Sequence, residues 1–466
     1  MTDGTRSIRR VRLPSRRGLA AVVVLCVLVF ARQAVVPVAA RASHPPAAIA
    51  LEHATVIDGT GAPPETDRTV VIRDGRIQAV FASGSRPLPD GASVEDLRGR
   101  YLIPGLIDAH VHLTGRPTTY GQYAALLQAL LRKGVTGLRD MAGDARILGY
   151  LAREAQLDEI PSPDIYYSAL MAGPTFFAED GRVPGTSQGI LLGAAPWMRA
   201  VDATTDIPMA VAEAKGTGAT GVKLYANLPA RIVTAIAAEA HRQGLMVWTH
   251  ATVFPAKPSD AVAAGADSIS HTPYLVWQAA PRVPLDYRSR AYGDFTHIRP
   301  DDPKILALLD QMKEHGTILD ATLRVFAQES TRDPGSMGAG IMPWSYAVTR
   351  EAHERGVLVD AGTDSQGLPA GRHGPDLQAA PAVIDELALL VAHGGFTPLE
   401  AIHAATQVNA FAVGQGAQRG TIGPGKAADL VVLSADPTAD IRNLTKVVQV
   451  FKDGRAVAGV GPAGAH

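Results

Sequence analysis

Two histidines one residue apart, His110 and His112, close an apolar run at 101–111. Alternate side chains of an extended strand fall on the same face, so both imidazoles can reach one cation. Taken alone, the pair reads equally well as two polar residues at a strand end. Later apolar segments, however, also end in residues of ligand type: Lys223, His250, His271 and Asp364. A surface or core role would explain any one of them, but so many at segment ends are hard to reach by chance. Imidazoles, an amine and a carboxylate of this kind can hold a divalent cation, and the chemistry that follows is hydrolysis by a water that the cation makes acidic.

Those residues serve one site only if their segments share an end. Short apolar runs at 101–111, 135–139, 165–170, 221–225, 245–249, 268–271, 317–322 and 357–363 alternate with helical patterns, which is the signature of βα units on a parallel sheet. The helical stretches include 123–132, 231–242, 304–315 and 346–355, and Gly134, Gly244, Gly316 and Gly356 follow as C-terminal stops. Eight such units over this length match a (β/α)8 TIM barrel, whose strand ends converge at one mouth. A doubly wound open sheet is the structural alternative, because strand count alone does not establish closure. Three long connections at 272–302, 324–344 and 365–381 follow strand C-terminal ends, where barrel enzymes place substrate-binding loops.

Both ends of the chain carry β patterns. Segments 48–58 and 69–80 alternate like strands, with Asp74-Gly75 as a hairpin turn, and 429–433 and 447–451 lead into a second Asp453-Gly454 turn. The expected organisation is a leader at 1–42, a barrel at 104–419, and a small β-sandwich-like domain assembled from 43–103 and 420–466.

The formal net charge of −1 offers no basic field for nucleic acid, so a small-molecule substrate is expected instead. The single cysteine, Cys26, lies in an apolar run at 18–31 that follows Arg9, Arg10, Arg12, Arg16 and Arg17. That arrangement reads as an export signal peptide, and Arg16-Arg17 also resembles a twin-arginine signal. An uncleaved anchor, the one route to a membrane, is the competing reading, although the run is shorter than the roughly 20 residues a bilayer span requires. A chain cleaved after the run has no thiol, so its metal ligands are nitrogen and oxygen. The sequence leaves a homo-oligomer open.

The motifs Leu102-Ile103-Pro104-Gly105-Leu106-Ile107-Asp108-Ala109-His110-Val111-His112, Gly221-Val222-Lys223, His250-Ala251, Ser270-His271, Gly362-Thr363-Asp364 and Gly423-Pro424-Gly425-Lys426-Ala427-Ala428-Asp429-Leu430 together resemble the amidohydrolase superfamily. Within it, the chain looks most like the imidazolonepropionase-related branch that includes prolidase-like dipeptidases. The resemblance implies His110, His112 and Asp364 on a first metal, His250 and His271 on a second, and carboxylated Lys223 bridging both. Zinc suits these ligands, and manganese, iron or cobalt fit the same positions. It also implies Asp364 as the proton carrier and Tyr225 as a residue polarising the carbonyl, where a merely packed tyrosine is the alternative.

The expected reaction is cleavage of an amide or peptide C–N bond in a dipeptide or N-acyl amino acid. The same site on a lactone, carbamate, cyclic amide or phosphoester is the rival, and a catalytically inactive binding protein the remote one. Arg324, Arg332 and Arg372 are candidates for a substrate carboxylate, and His373 for a further contact. Arg139-Asp140 has two readings, substrate binding or support of the metal site. The prolidase-like relatives carry a histidine after the third strand. Here Met171-Ala172-Gly173-Pro174-Thr175-Phe176-Phe177 has none, and its phenylalanines point to an apolar subsite.

Overall fold

The computed structural model describes residues 48–115, 118–289, 293–333, 340–366 and 379–460. The leader at 1–42, Arg372 and His373 therefore lie outside the described residues, as does most of the 365–381 connection. No helix among the described residues is long and apolar enough to cross a membrane.

Eight parallel strands form the barrel: Leu106–Val111, Val135–Asp140, Asp164–Ala172, Gly221–Leu224, Met246–His250, Ser268–Ser270, Ile318–Asp320 and Val359–Asp360. Each pairs with the next in order. The chain beyond the eighth strand then meets the first. Ala109 N donates to Ala361 O at 3.1 Å, Thr363 N to His110 O at 3.2 Å and His112 N to Ser365 O at 2.8 Å. This ladder closes the barrel and disposes of the open-sheet alternative.

Helices cover the outside. Tyr120–Arg132 starts at Thr119, whose side chain and that of Gln122 cap each other's backbone. The helices Pro303–His315 and Ile341–Arg355 end at Gly316 and Gly356 with φ of 71° and 83°, a conformation that glycine adopts without steric cost.

The small domain is one continuous eight-stranded sheet built from both ends of the described chain. Its seam pairs Tyr101–Pro104 with Leu430–Leu433 antiparallel. Alternation then divides these strands between two cores. Leu102, Leu430 and Val432 join Leu51, Val70 and Phe451, whereas Ile103, Val431 and Leu433 join the barrel core. Both expected Asp-Gly turns are present, with positive φ at Asp74, Gly75, Asp453 and Gly454.

Two expectations change and one element is added. The run at 101–111 is two strands rather than one, because Gly105 breaks it and sends each half to a different sheet. A Cβ at Gly105 would lie 2.1 Å from Thr136 Oγ1, so no side chain fits at this crossing. The supposed loop at 324–344 is largely helical: Leu323–Arg332 forms a helix, and the next begins at Ile341. The buried Glu386 carboxylate accepts from Leu323 N at 2.9 Å and Arg324 N at 2.7 Å, a cap supplied from a distant segment. Finally, a short hairpin of Ala194–Ala195 and Met198–Ala200, too brief to show periodicity, extends the edge of the third strand.

Gly105→Ala is expected to destabilise the protein by about 1–3 kcal/mol, as overpacking does in a rigid contact. The denaturant midpoint measures this, and an unchanged midpoint would show that the crossing yields.

Candidate active site

The strand ends bring the six sequence-predicted ligands to the same end of one barrel. His110 and His112 close the first strand, with ring centroids 5.4 Å apart. His271 lies 5.0 Å from His110 and 4.8 Å from His250, ring to ring. Asp364 Oδ1 is 3.1 Å from His112 Nε2 and 3.8 Å from His110 Nε2. One ligand atom from each of His110, His112 and Asp364 falls within 4.8 Å of the others. Lys223 is buried, and its Nζ donates to Ser270 Oγ at 2.9 Å.

Each imidazole is oriented through Nδ1. The acceptors are Asp320 Oδ2 for His110 at 2.6 Å, Ala142 O for His112 at 3.3 Å and Thr252 O for His250 at 2.9 Å. His271 Nδ1 meets Thr322 Oγ1 at 2.8 Å. A carbonyl or carboxylate can only accept, so the first three rings carry their proton on Nδ1 when neutral and their lone pair on Nε2.

Electrostatics follow from burial. Desolvation, joined by the charge of Arg139, pulls the Lys223 amine down to about 7 against the attraction of Asp320. Burial lowers His110, and burial together with His110 lowers His271 well below the usual histidine value. For His112 burial works against the proton, but the Asp364 carboxylate outweighs it and the pKa rises. Asp364 is held below the usual carboxylate range despite burial, by His112, His110 and His271.

Beneath the ligands lies Arg139, fully buried. It reaches Asp320 Oδ2 at 3.2 Å, Asp360 Oδ2 at 3.3 Å, Ser268 Oγ at 3.0 Å and the carbonyl of Ala109, with Trp248 against its guanidinium. Of its two sequence readings, the structure places it in the support role. Asp140 accepts from Leu113 N at 2.6 Å and Ala142 N at 3.1 Å, fixing the turn beside His112.

Five of the six predicted ligands, all but His250, line a cavity of about 390 Å³ whose wall also includes Leu170, Phe176, Arg182, Met198 and Tyr225. Phe176 lines the cavity, while Phe177 is buried and packs edge-on against Phe176. Tyr225 Oη lies 2.9 Å from Tyr287 Oη, so the fourth-strand end touches the connection after the sixth. Arg324 is not among the lining residues; its guanidinium faces Asp385 at 3.4 Å and Ser365 at 3.5 Å. Arg332 sits exposed in the last turn of its helix. Asp320, Arg182 and Tyr287 are site residues that the sequence reading did not single out. A lone aspartate inside the apolar run at 317–322 was the available signal for Asp320, since a buried charge demands a partner.

The amidohydrolase family profile matches residues 101–457. The chain belongs to the amidohydrolase family. As an amidohydrolase it is a hydrolase of C–N bonds. It is similar to ochratoxinase from Aspergillus niger, with 26% identity over 471 residues covering 88% of this chain and 87% of the relative. The crystal structure of that A. niger ochratoxinase superposes with a TM-score of 0.70 at 23% identity, covering 90% of this chain and 96% of that one. A Xaa-Pro dipeptidase with bound methionine in its active site superposes with a TM-score of 0.67 at 21% identity, over 88% of this chain and 99% of that one. These two superpositions speak for the fold.

In this amidohydrolase Arg139→Leu leaves Asp320 and Asp360 buried without their cation. A loss of about 3–5 kcal/mol is expected, as for breaking a buried pair from one side. Equilibrium unfolding measures it, and a loss below about 1 kcal/mol would show that the two carboxylates take up protons without penalty.

Proposed function

We propose that this chain is an exported, metal-dependent amidohydrolase that cleaves the amide bond of a dipeptide or N-acyl amino acid. The observation that carries the reading is the convergence of His110, His112 and Asp364 within 4.8 Å, in a cavity that Lys223 and His271 also line. The names of the relatives, an ochratoxinase and a Xaa-Pro dipeptidase, agree with an amide substrate.

The donor set fits divalent metal. Three rings are anchored through Nδ1 to acceptors and present Nε2 as the ligand nitrogen, and the carboxylate beside them is ionised. His110, His112 and Asp364 would hold one cation, His250 and His271 a second, and Lys223 would join them as a carbamate. Zinc suits this nitrogen-rich set. When bound, such cations supply Lewis acidity and a water that ionises near neutral pH.

The chain's own groups do the rest. Lys223, with a pKa near 7, is substantially neutral at physiological pH, as attack on carbon dioxide requires. The new N–C bond forms as one amine proton leaves, giving an anionic oxygen donor. Asp364, ionised and 3.1 Å from His112, is placed to take a proton from the attacking water and return it to the departing amine. Tyr225 presents its hydroxyl from the fourth-strand end to the substrate carbonyl. The apolar wall of Leu170, Phe176 and Met198 excludes water from an apolar part of the substrate.

Lys223→Ala should bring bound metal from two ions toward one, with activity partly restored by short carboxylic acids; unchanged metal content and rate would remove the bridge. Asp364→Asn should lower kcat by about 100-fold or more, the scale of a lost general base. Near-normal turnover with metal retained would leave Asp364 a ligand only. Both are read on dipeptides and N-acyl amino acids beside lactone and phosphotriester substrates, and preference for either of the latter would overturn the amide assignment. Export is tested by the N-terminus of protein recovered outside the cell: a start near residue 42 supports it, whereas an intact N-terminus on soluble cytoplasmic protein overturns it.

A further inference from the structure

After the third barrel strand the chain makes a short helix, Pro174–Glu179, and returns over the cavity through Asp180, Gly181 and Arg182. Arg182 lines the same cavity as His110, Lys223 and Asp364. Its guanidinium carbon stands 5.6 Å from the centre of the Tyr225 ring, and Nη2 donates to Tyr225 Oη at 3.2 Å. The Tyr225 ring is in turn 5.2 Å from that of His250. A fixed cation thus sits one ring outward from the imidazole cluster.

Asp180 holds it there. Nε donates to Oδ1 at 2.9 Å and Nη2 to Oδ2 at 2.6 Å, so the guanidinium already receives one planar carboxylate along one edge. Nη1 has no hydrogen-bond partner among the described residues, and the Arg182 side chain is 63% exposed. Among the described residues, two other arginines near the mouth are engaged elsewhere. Arg324 faces Asp385 and Ser365 outside the cavity lining, and Arg288 reaches Glu179. Next to Arg182 the wall is apolar, formed by Leu170, Phe176, Val183 and Met198.

We infer that Arg182 is the specificity-determining residue and that the substrate must carry a free carboxylate next to the scissile amide. Nη1 donates to that carboxylate, while Nη2 keeps its bonds to Asp180 and Tyr225. The side chain of the same amino acid lies on the apolar wall, so the class is an N-acyl amino acid or dipeptide with an apolar C-terminal residue. Asp180 positions the cation and is not displaced. This inference rests on the amide-hydrolase reading and specifies its substrate.

The test compares N-acetyl-L-leucine with N-isopentylacetamide, the same molecule without its carboxylate. Binding to the metal-loaded enzyme is measured by calorimetry, and kcat and KM by amine release. Wild type should favour the acid by about tenfold or more, as expected for a charge-assisted hydrogen bond at a partly exposed site. Arg182→Gln should bring the ratio of the two affinities toward one and act mainly through KM, while Arg182→Lys keeps part of the preference. A wild-type ratio near one, or an undiminished ratio in Arg182→Gln, overturns the inference. If the glutamine variant fails to fold, the wild-type and lysine ratios decide. Wild type that binds the acid preferentially but cleaves neither compound nor any other amide refutes the hydrolase reading and leaves the role of Arg182 standing.

Discussion

A guanidinium with no access to water sits under the histidine cluster, and most of the site's geometry follows from how its charge is met. Burying a guanidinium such as that of Arg139 requires counter-charge and acceptors on every side. Asp320 supplies the charge; Asp360, whose carboxyl is pushed well above the usual range by burial and by neighbouring Asp320, joins Ser268 and the carbonyls of Ala109 and Ala412 as the remaining acceptors. Asp320 then spends its second interaction on His110 Nδ1. The same positive charge contributes to pulling down Lys223. One buried cation therefore anchors the aspartate that orients a histidine, adds to that histidine's pull in keeping the aspartate ionised, and favours a neutral amine. The surrounding backbone has to come close to make this work. A Cβ on Gly362 would lie 2.2 Å from Asp320 Oδ1 and 2.7 Å from the Cβ of His110, so only glycine lets the last strand pass.

The ligand residues were legible because each ends an apolar run, and a parallel barrel converts that one-dimensional regularity into convergence at the mouth. Their orientation was not legible. Asp320 lies in a segment that was correctly read as a strand, but its partners are 181 and 210 residues away in sequence. Arg139 was visible as an unusual residue at a strand end, yet nothing local distinguishes a guanidinium aimed at substrate from one aimed at the core. The helix after the seventh strand was missed for a related reason: its N-terminal amides are capped by Glu386, more than sixty residues on, and Thr322 at the N-cap makes no side-chain cap of its own. The early end of the first β run was readable in principle, since Pro104-Gly105 interrupts it, but the apolar pattern on both sides concealed the change of sheet.

The small β-domain is more than an appendage. Ile103 and Val431, from opposite ends of the chain, bury into the barrel core while their neighbours Leu102 and Leu430 bury into the small sheet. Behind this seam Arg419 and Lys452 meet Asp164 at the start of the third barrel strand, together with Asp429 and Asp453. Asp164 is partly desolvated there, and burial raises its pKa against the pull of the two cations. The strand that leads to the Arg182 turn is thus anchored at its far end by charge, and at its side by the short Met198–Ala200 strand.

Backbone conformation at the mouth completes the division between scaffold and site. His271, Thr322 and Asp364 all have positive φ, at 79°, 49° and 48°, although none is glycine. Such a conformation costs of order 1–3 kcal/mol and persists only where the surroundings over-determine it. Each of the three stands at or just beyond the end of a barrel strand, where a regular extended backbone would continue the outward–inward alternation. The left-handed turn breaks that alternation, and it does so at two of the predicted ligands, His271 and Asp364, and at Thr322, which orients the first of them. The strands before these turns are bound on both sides by the closed ladder, which leaves the conformational cost localised at the three residues. Stability of the barrel is what holds the strained positions in place, and the strained positions are what turn the end of a barrel into a cluster of donors.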